Sequence, residues 1–183
     1  MSSSYHDDRS WGDEIFYKKG KEKIIKILTE SQEFGEVIDY VPASEEDDNI
    51  FCIDTDINDK PCQVRLQRSS NKKNKDYKPT IRAGRPSGSE TELRKFIKNY
   101  PRHIAGERCM PIYLIWILFD EEENEVISLE IINLISIFKD RNIRLSVDNS
   151  YRMKDDNDKY DYIENSDGTS FLVIKWGTVY SYP

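Results

Sequence analysis

Two runs of alternating apolar and polar residues lie at residues 51–57 and 62–67, and turn-forming residues separate them. Side chains alternate between the two faces of a strand, so these runs predict a β-hairpin with one apolar face. The apolar face is predicted to consist of Phe51, Ile53, Thr55, Ile57, Cys62, Val64 and Leu66. The opposite face then carries Cys52, Asp54, Asp56, Gln63, Arg65 and Gln67. Because Cys52 and Cys62 fall on opposite faces, the pattern argues against a disulfide between them.

Helical spacing predicts three helices around this hairpin. The first runs from Asp13, a capping residue, to about Ser31, with Glu14 at the edge of its apolar stripe. Ser89 and Glu92 form a capping box for the second, and residues 128–140 predict the third. Further strands are predicted at residues 36–40, 110–119, 143–147 and 171–180. This order predicts an α/β fold with a mixed central β-sheet flanked by helices.

Length and composition place the chain among ordinary globular proteins. Its 183 residues suit one domain, which we assign to residues 13–183 after a flexible N-terminus at residues 1–12. The longest apolar run is too short to span a bilayer, and residues 1–10 lack the apolar core of a secretory signal. Three sparse cysteines fit a reducing compartment. We therefore expect no membrane association and an intracellular protein, either cytoplasmic or nucleoid-associated.

Charge is concentrated in two segments. Residues 67–86 carry seven cations and one acid, a net +6 in a chain of net charge −7. We predict a basic loop at residues 67–88, which is either a solvated loop or a contact for a phosphate backbone. Its cations are Arg68, Lys72, Lys73, Lys75, Lys78, Arg82 and Arg85. An acidic segment at residues 153–169 lacks the spacing of a calcium loop, so we predict a hydrated surface loop there.

The polar face of the predicted hairpin has two interpretations. Asp54, Asp56 and Gln63 provide the oxygen ligands that Mg²⁺ or Mn²⁺ prefers, and Arg65 could stabilise the charge of an attacked phosphodiester. Alternatively, an acid pairs with Arg65 across two strands on a solvated face, a common and weak interaction. The hairpin alone leaves both interpretations open.

The order of these motifs resembles the PD-(D/E)XK superfamily of nucleases, and within it the Mrr-type branch of restriction-like endonucleases. Glu14, Asp54 and the Gln63-Val64-Arg65 segment carry the resemblance, which spans roughly residues 13–119. It implies a restriction-endonuclease-like fold and a metal-dependent endonuclease acting on DNA. By the same resemblance Asp54 and Gln63 would bind the metal, Arg65 would replace the family lysine, and Glu14 would support the site.

Two departures from the family pattern leave alternatives open. Arg65 cannot lose a proton near neutral pH, and Gln63 is a weaker ligand than a carboxylate for a hard cation. A non-catalytic nucleic-acid-binding or assembly protein on a degenerate nuclease scaffold therefore stands as the alternative to the enzyme. A protein-interaction module is the third, because the chain is acidic overall. The sequence leaves open whether the target is DNA or RNA and whether the protein forms a homodimer.

Overall fold

A mixed β-sheet forms the centre of the part of the chain that the structure describes. The structure, a computed structural model, describes residues 20–36, 38–68, 78–120, 125–139, 160–164 and 166–183. The helices are α1 (Lys21–Ser31), α2 (Glu45–Phe51), α3 (Glu92–Ile104) and α4 (Leu134–Phe138). The strands are β1 (Tyr40–Pro42), β2 (Thr55–Ile57), β3 (Lys60–Arg68), β4 (Thr80–Gly84), β5 (Tyr113–Asp120), β6 (Glu125–Asn133), β7 (Tyr160–Glu164), β8 (Ser170–Ile174) and β9 (Thr178–Tyr182).

Among these strands six form the central sheet in the order β1-β2-β3-β5-β6-β9, and three form a smaller sheet in the order β4-β8-β7. Within the central sheet β3 and β5 are parallel, whereas the other neighbours are antiparallel. A parallel pair needs a crossover connection, which here contains strand β4 and helix α3. The predicted α/β fold with a mixed sheet flanked by helices is therefore confirmed.

Two apolar clusters hold the layers together. The first lies on one face of the central sheet, where Ile24, Ile27 and Leu28 of α1 pack on the strands. The second involves the other face, where Leu93 and Phe96 belong to a cluster with residues of α4 and the smaller sheet. Strand β5 is buried on both faces because it lies between these clusters, as its continuous apolar sequence predicts. None of the described helices combines the length and apolar character needed to cross a bilayer.

Two sequence predictions near the hairpin are wrong. Residues 51–54 do not belong to a strand, because helix α2 continues to Phe51 and Cys52 ends it in the left-handed conformation. Ser44 begins this helix by accepting a hydrogen bond from the Asp47 N–H, a local signal that outweighs the alternation. The predicted capping box of helix α3 is also absent. Thr91 occupies the N-cap, and the Glu92 side chain pairs with Arg65 instead.

Several other predicted boundaries also differ from the structure. The predicted helix at residues 128–140 is mostly strand β6, and only Leu134–Phe138 is helical, because pairing with β5 and β9 outweighs the helical spacing. The predicted final strand is divided by Gly177 into β8 and β9, which lie in different sheets. The basic and acidic segments, both predicted as loops, contain strands β4 and β7. The predicted strand at residues 143–147 and helix start at Asp13 lie outside the described residues.

Candidate functional site

The turn between β2 and β3 fixes which side chains share a face. Asn58 and Asp59 have positive φ angles of 47° and 65°, which suit a two-residue hairpin turn and are tolerated by Asn and Asp. Asn58 Nδ2 donates a hydrogen bond of 2.6 Å to the Phe34 carbonyl and anchors the turn. The resulting register pairs Thr55 with Cys62. The predicted parity is confirmed for β2 and β3, because Ile57 and Cys62 belong to the α1-side cluster.

Asp54 lies immediately before β2, opposite Gln63, as the Thr55–Cys62 pairing dictates. Its backbone N–H donates to the Cys62 carbonyl at 2.9 Å, and its Oδ2 accepts a hydrogen bond of 2.7 Å from the Val64 N–H. Both contacts join the residue to β3. The Asp54 carboxyl is therefore held at a fixed position beside the strand that carries Gln63 and Arg65.

A second carboxyl group contacts Asp54. Asp48, on helix α2, is only 7% exposed, and its carboxyl is hydrogen-bonded to that of Asp54. Burial raises the pKa of Asp54 well above its ordinary value, and the neighbouring Asp48 raises it further, against the effect of the Val64 N–H. Two carboxyl groups in contact hold a proton or a cation between them more readily than two negative charges. The pair therefore marks a site that favours positive charge.

Gln63 adds an oxygen atom to the same face. The residue is 5% exposed, and its buried Oε1 accepts no hydrogen bond from the described residues. Leaving a buried polar atom without a partner costs about 1–3 kcal/mol, so such atoms are rare in native proteins. A buried acceptor of this kind, next to a carboxyl pair, fits a ligand position that the protein alone does not fill.

Arg65 is two residues further along β3 and pairs with Glu92 at the start of α3. Its Nη2 donates to Glu92 Oε1, and the two side chains are 23% and 18% exposed. Glu92 Oε2 is buried and has no hydrogen-bond partner among the described residues. The guanidinium therefore lies on the polar face, as predicted, but an acid partly neutralises its charge.

Asp56 shares this face but has a different partner. Its Oδ2 accepts a hydrogen bond of 2.6 Å from Arg108, which also pairs with Asp47 at 2.9 Å. One arginine thus links β2 to helix α2. Asp56, predicted from the sequence as a metal ligand, is engaged by this cation, although its Oδ1 has no partner among the described residues.

The donor set can be tested against the metal that the nuclease resemblance implies. Within the described residues no group of three His, Cys, Asp or Glu side chains is arranged to hold a metal ion. Two carboxyl groups and one amide oxygen are present in Asp48, Asp54 and Gln63, and hard divalent cations take such oxygen ligands and complete their shells with water. The contact between the Asp48 and Asp54 carboxyl groups suits a bound cation, and so does Gln63 Oε1, which has no partner among the described residues. The residues present therefore fit Mg²⁺ or Mn²⁺.

Thiol chemistry does not compete with this interpretation. The Cys52 thiol lies near the acids, and burial raises its pKa to about 12. A buried cysteine with a raised pKa is a poor nucleophile, because the thiolate is the reactive form. Cys52 and Cys62 are both free, although Cys52 ends helix α2 and does not lie on a strand of the hairpin as predicted.

The predicted nucleic-acid contacts are described only in part. Lys72, Lys73, Lys75 and the supporting acid Glu14 lie outside the described residues, and Arg68 ends β3 without a described side chain. Lys78 is exposed before β4. Arg82, within β4, places its guanidinium 5.7 Å from the centre of the Phe171 ring. Arg85 follows the same strand and is half-buried.

Sequence reasoning missed two residues of the site, Asp48 and Glu92. A signal for Asp48 was present, because Ser44 followed by four acidic residues is typical of a helix N-terminus. That signal places Asp48 on a helix that ends shortly before Asp54 instead of in a polar connection. Glu92 was assigned to a capping box, and nothing local to the sequence indicates its pairing with Arg65.

Comparisons of the chain with protein-family models, with curated proteins and with solved structures give no match.

Proposed function

We propose that this chain is a metal-dependent endonuclease that hydrolyses phosphodiester bonds in DNA. The observation that carries the proposal is the buried Gln63 Oε1, which has no hydrogen-bond partner in the described part of the chain and lies opposite Asp54, whose carboxyl is in contact with that of Asp48. The order of elements also supports it. Helix α1, the antiparallel strands β1, β2 and β3, helix α3 and the parallel strand β5 occur in the order that the nuclease resemblance implies, with helix α2 inserted between β1 and β2 and strand β4 inserted before α3.

In this proposal Asp48, Asp54 and Gln63 hold Mg²⁺ or Mn²⁺. When bound, such a cation lowers the pKa of a coordinated water and neutralises charge on the attacked phosphate. Asp48 supplies a second carboxylate ligand, which Gln63 cannot supply because its side chain is an amide. Asp56 has a structural role instead, because Arg108 already neutralises it.

Arg65 and Glu92 act on the reacting groups. Hydrolysis adds the oxygen of water to phosphorus and breaks one P–O ester bond. The attacking water must lose a proton, and the leaving oxygen gains one from solvent. Arg65 remains protonated, so it stabilises the charge that develops on phosphate oxygens and does not act as a base. Glu92 Oε2 is buried and has no partner within the described ranges, which makes it an acceptor for that proton once a water lies within reach.

The first test is a cleavage assay on linear and supercoiled DNA with Mg²⁺ or Mn²⁺. Asp54→Asn and Asp48→Asn should each reduce cleavage by at least about 100-fold, the usual effect of removing one preorganised charged group. Asp59→Asn is the matched control, because Asp59 lies in the exposed turn of the same hairpin and Asn tolerates its positive φ. It should cleave like the wild type.

The second test measures metal binding directly through thermal unfolding. A cation that binds only the folded state raises its stability by RT ln(1 + [M]/Kd), or about 2.7 kcal/mol at 100 times Kd. Mg²⁺ or Mn²⁺ should therefore raise Tm in the wild type and in Asp59→Asn but not in Asp54→Asn. An equal rise in all three proteins would contradict the assignment of the metal to this site.

One observation favours the non-catalytic alternative, a nucleic-acid-binding or assembly protein on the same scaffold. The Arg65–Glu92 pair neutralises the cation that occupies the position of the family lysine. In that case DNA would bind without divalent cations, and no combination of Mg²⁺ or Mn²⁺ would produce cleavage. Asp54→Asn would then leave DNA affinity unchanged and would have no activity to lose.

A further inference from the structure

A cavity of about 390 Å³ lies between the central sheet and the smaller sheet. Trp116 of β5, Glu130 of β6 and Ser181 of β9 contribute to its wall, and Lys78 and Lys175 come from the ends of β4 and β8. Pockets for small molecules commonly range from about 300 to 1,000 Å³. This cavity is therefore large enough for one small ligand but too small for a nucleic-acid duplex. No pattern in the sequence indicated it, because its wall combines residues from five separate strands or strand ends.

The cavity lies on the same face of the sheet as the candidate site. Arg65 pairs in register with Trp116, Trp116 with Glu130, and Glu130 with Ser181. Residues paired in register project to the same face, so one row leads from the candidate site into the cavity. Neighbouring strands are about 4.8 Å apart, which separates the backbones at Arg65 and Glu130 by about 10 Å. That separation corresponds to about three nucleotides of a stacked strand at 3.4 Å each.

The polar groups of the cavity suit a singly charged anion that also carries hydrogen-bonding groups. Lys78 and Lys175 supply cationic groups at the wall of the cavity, which suit the single negative charge of one phosphodiester. Glu130 is half-buried, and burial raises the pKa of its carboxyl, although Ser181 donates a hydrogen bond to it. The carboxyl and nearby hydroxyl groups can accept hydrogen bonds from a base or a sugar and donate hydrogen bonds to it. Lys78 also belongs to the basic segment at residues 67–88.

We propose that this inter-sheet cavity binds one nucleotide unit of a nucleic-acid strand, with its phosphate against Lys78 and Lys175 and its sugar or base over Glu130 and Ser181. The proposal rests on the proposed function, because it takes the bound strand to be the substrate of the Asp54–Gln63 site. The cavity would then hold the strand a few nucleotides from the bond that is cleaved.

The experiment compares two double variants in binding a fluorescein-labelled single-stranded DNA, with EDTA present so that no cleavage occurs. Lys78→Ala/Lys175→Ala should weaken binding by about tenfold or more and reduce the slope of log K against log[salt] by about 0.7, because both lysines contact one phosphate and each neutralised phosphate of a single strand contributes about 0.7. The control, Lys98→Ala/Lys139→Ala, removes the same charge from exposed positions outside the cavity and should change affinity less than about twofold. Equal weakening in both double variants would overturn the proposal.

A second variant blocks the cavity without changing its charge. Ser181→Tyr adds bulk at an exposed position of edge strand β9, where an aromatic residue suits the strand. It should weaken binding of the labelled strand, and unchanged affinity would overturn the proposal. A nucleoside monophosphate should compete only at far higher concentration than the oligonucleotide. Competition at equal concentration would identify free nucleotides, and not a strand, as the ligand.

Failure of this inference is distinguishable from failure of the proposed function. Metal-dependent cleavage by the wild type, combined with unaltered binding in the cavity variants, would contradict the cavity inference and support the proposed function. Weaker binding in those variants, without cleavage by any protein, would support the cavity as a binding site and contradict the proposed nuclease activity. Asp54→Asn should bind the strand like the wild type in EDTA, because the cavity and the metal ligands are separate groups.

Discussion

The two faces of the β2–β3 hairpin arise from one alternating sequence, but they differ in whether their buried side chains find suitable partners. On the α1 side, Ile57, Cys62 and their neighbours are buried in an apolar cluster. On the other side, Asp54 is held against Asp48, and Gln63 is buried with an oxygen that no described residue contacts by a hydrogen bond. The first face stabilises the fold. The second keeps polar groups buried at a cost in stability, and such costs are concentrated at functional sites.

The largest expected effect comes from damage to the apolar face. Ile115→Ala, at a fully buried position of β5, should reduce the free energy of unfolding by about 2–5 kcal/mol, because it removes apolar packing and leaves a cavity. Urea unfolding monitored by tryptophan fluorescence measures the change. A reduction below 0.5 kcal/mol, roughly the level of a surface substitution, would show that this face is not the stabilising one.

On the polar face, an apolar substitution should change the free energy of unfolding in the opposite direction. Gln63→Met keeps the volume of the side chain and removes the unpartnered Oε1, so the free energy of unfolding should rise by about 1–3 kcal/mol. The same variant should lose the Tm increase caused by Mg²⁺ or Mn²⁺. A destabilised Gln63→Met would show that the amide oxygen is satisfied in the folded protein and would break the comparison between the two faces.

The contrast between the faces also shows which features of the structure could be predicted from the sequence. Alternation along residues 55–67 predicts correctly which side chains share each face, because a strand has a fixed period of two. It does not predict the contact of Asp48 with Asp54 or of Glu92 with Arg65, since both join elements that are separate in the sequence. The helical spacing of residues 128–140 was misleading, because pairing with β5 decides their conformation. Local patterns therefore predicted the faces, whereas tertiary contacts determine the site.

A smaller effect, dependent on pH, is expected at Asp54. Its pKa is raised in the folded state, so ionisation opposes folding above about pH 4, the ordinary carboxyl pKa, and has no effect well below it. Asp54→Asn cannot ionise. It should be more stable than the wild type by about 0.5–2 kcal/mol at pH 7 and equally stable at pH 3.

Urea unfolding of both proteins from pH 3 to pH 8 provides the measurement, with Asp59→Asn as the exposed control. The difference between Asp54→Asn and the wild type should grow as pH rises, whereas that of the control should remain near zero. A difference that is constant across this range would mean that Asp54 does not titrate with a raised pKa. The cost in stability on the polar face would then have to come from the buried amide of Gln63 alone.

The smallest effect should come from Arg108, which pairs with Asp47 and Asp56 at the margin of the polar face. Its side chain is 42% exposed, so Arg108→Gln should cost only about 0.2–1 kcal/mol, and less at high salt. Arg102→Gln is the matched control, because Arg102 pairs with Glu107 on the surface. The two variants separate the roles of Asp56. If Asp56 is a metal ligand, as the sequence predicted, its release from Arg108 should increase the Tm rise caused by Mn²⁺. If its role is structural, the rise should match that of Arg102→Gln.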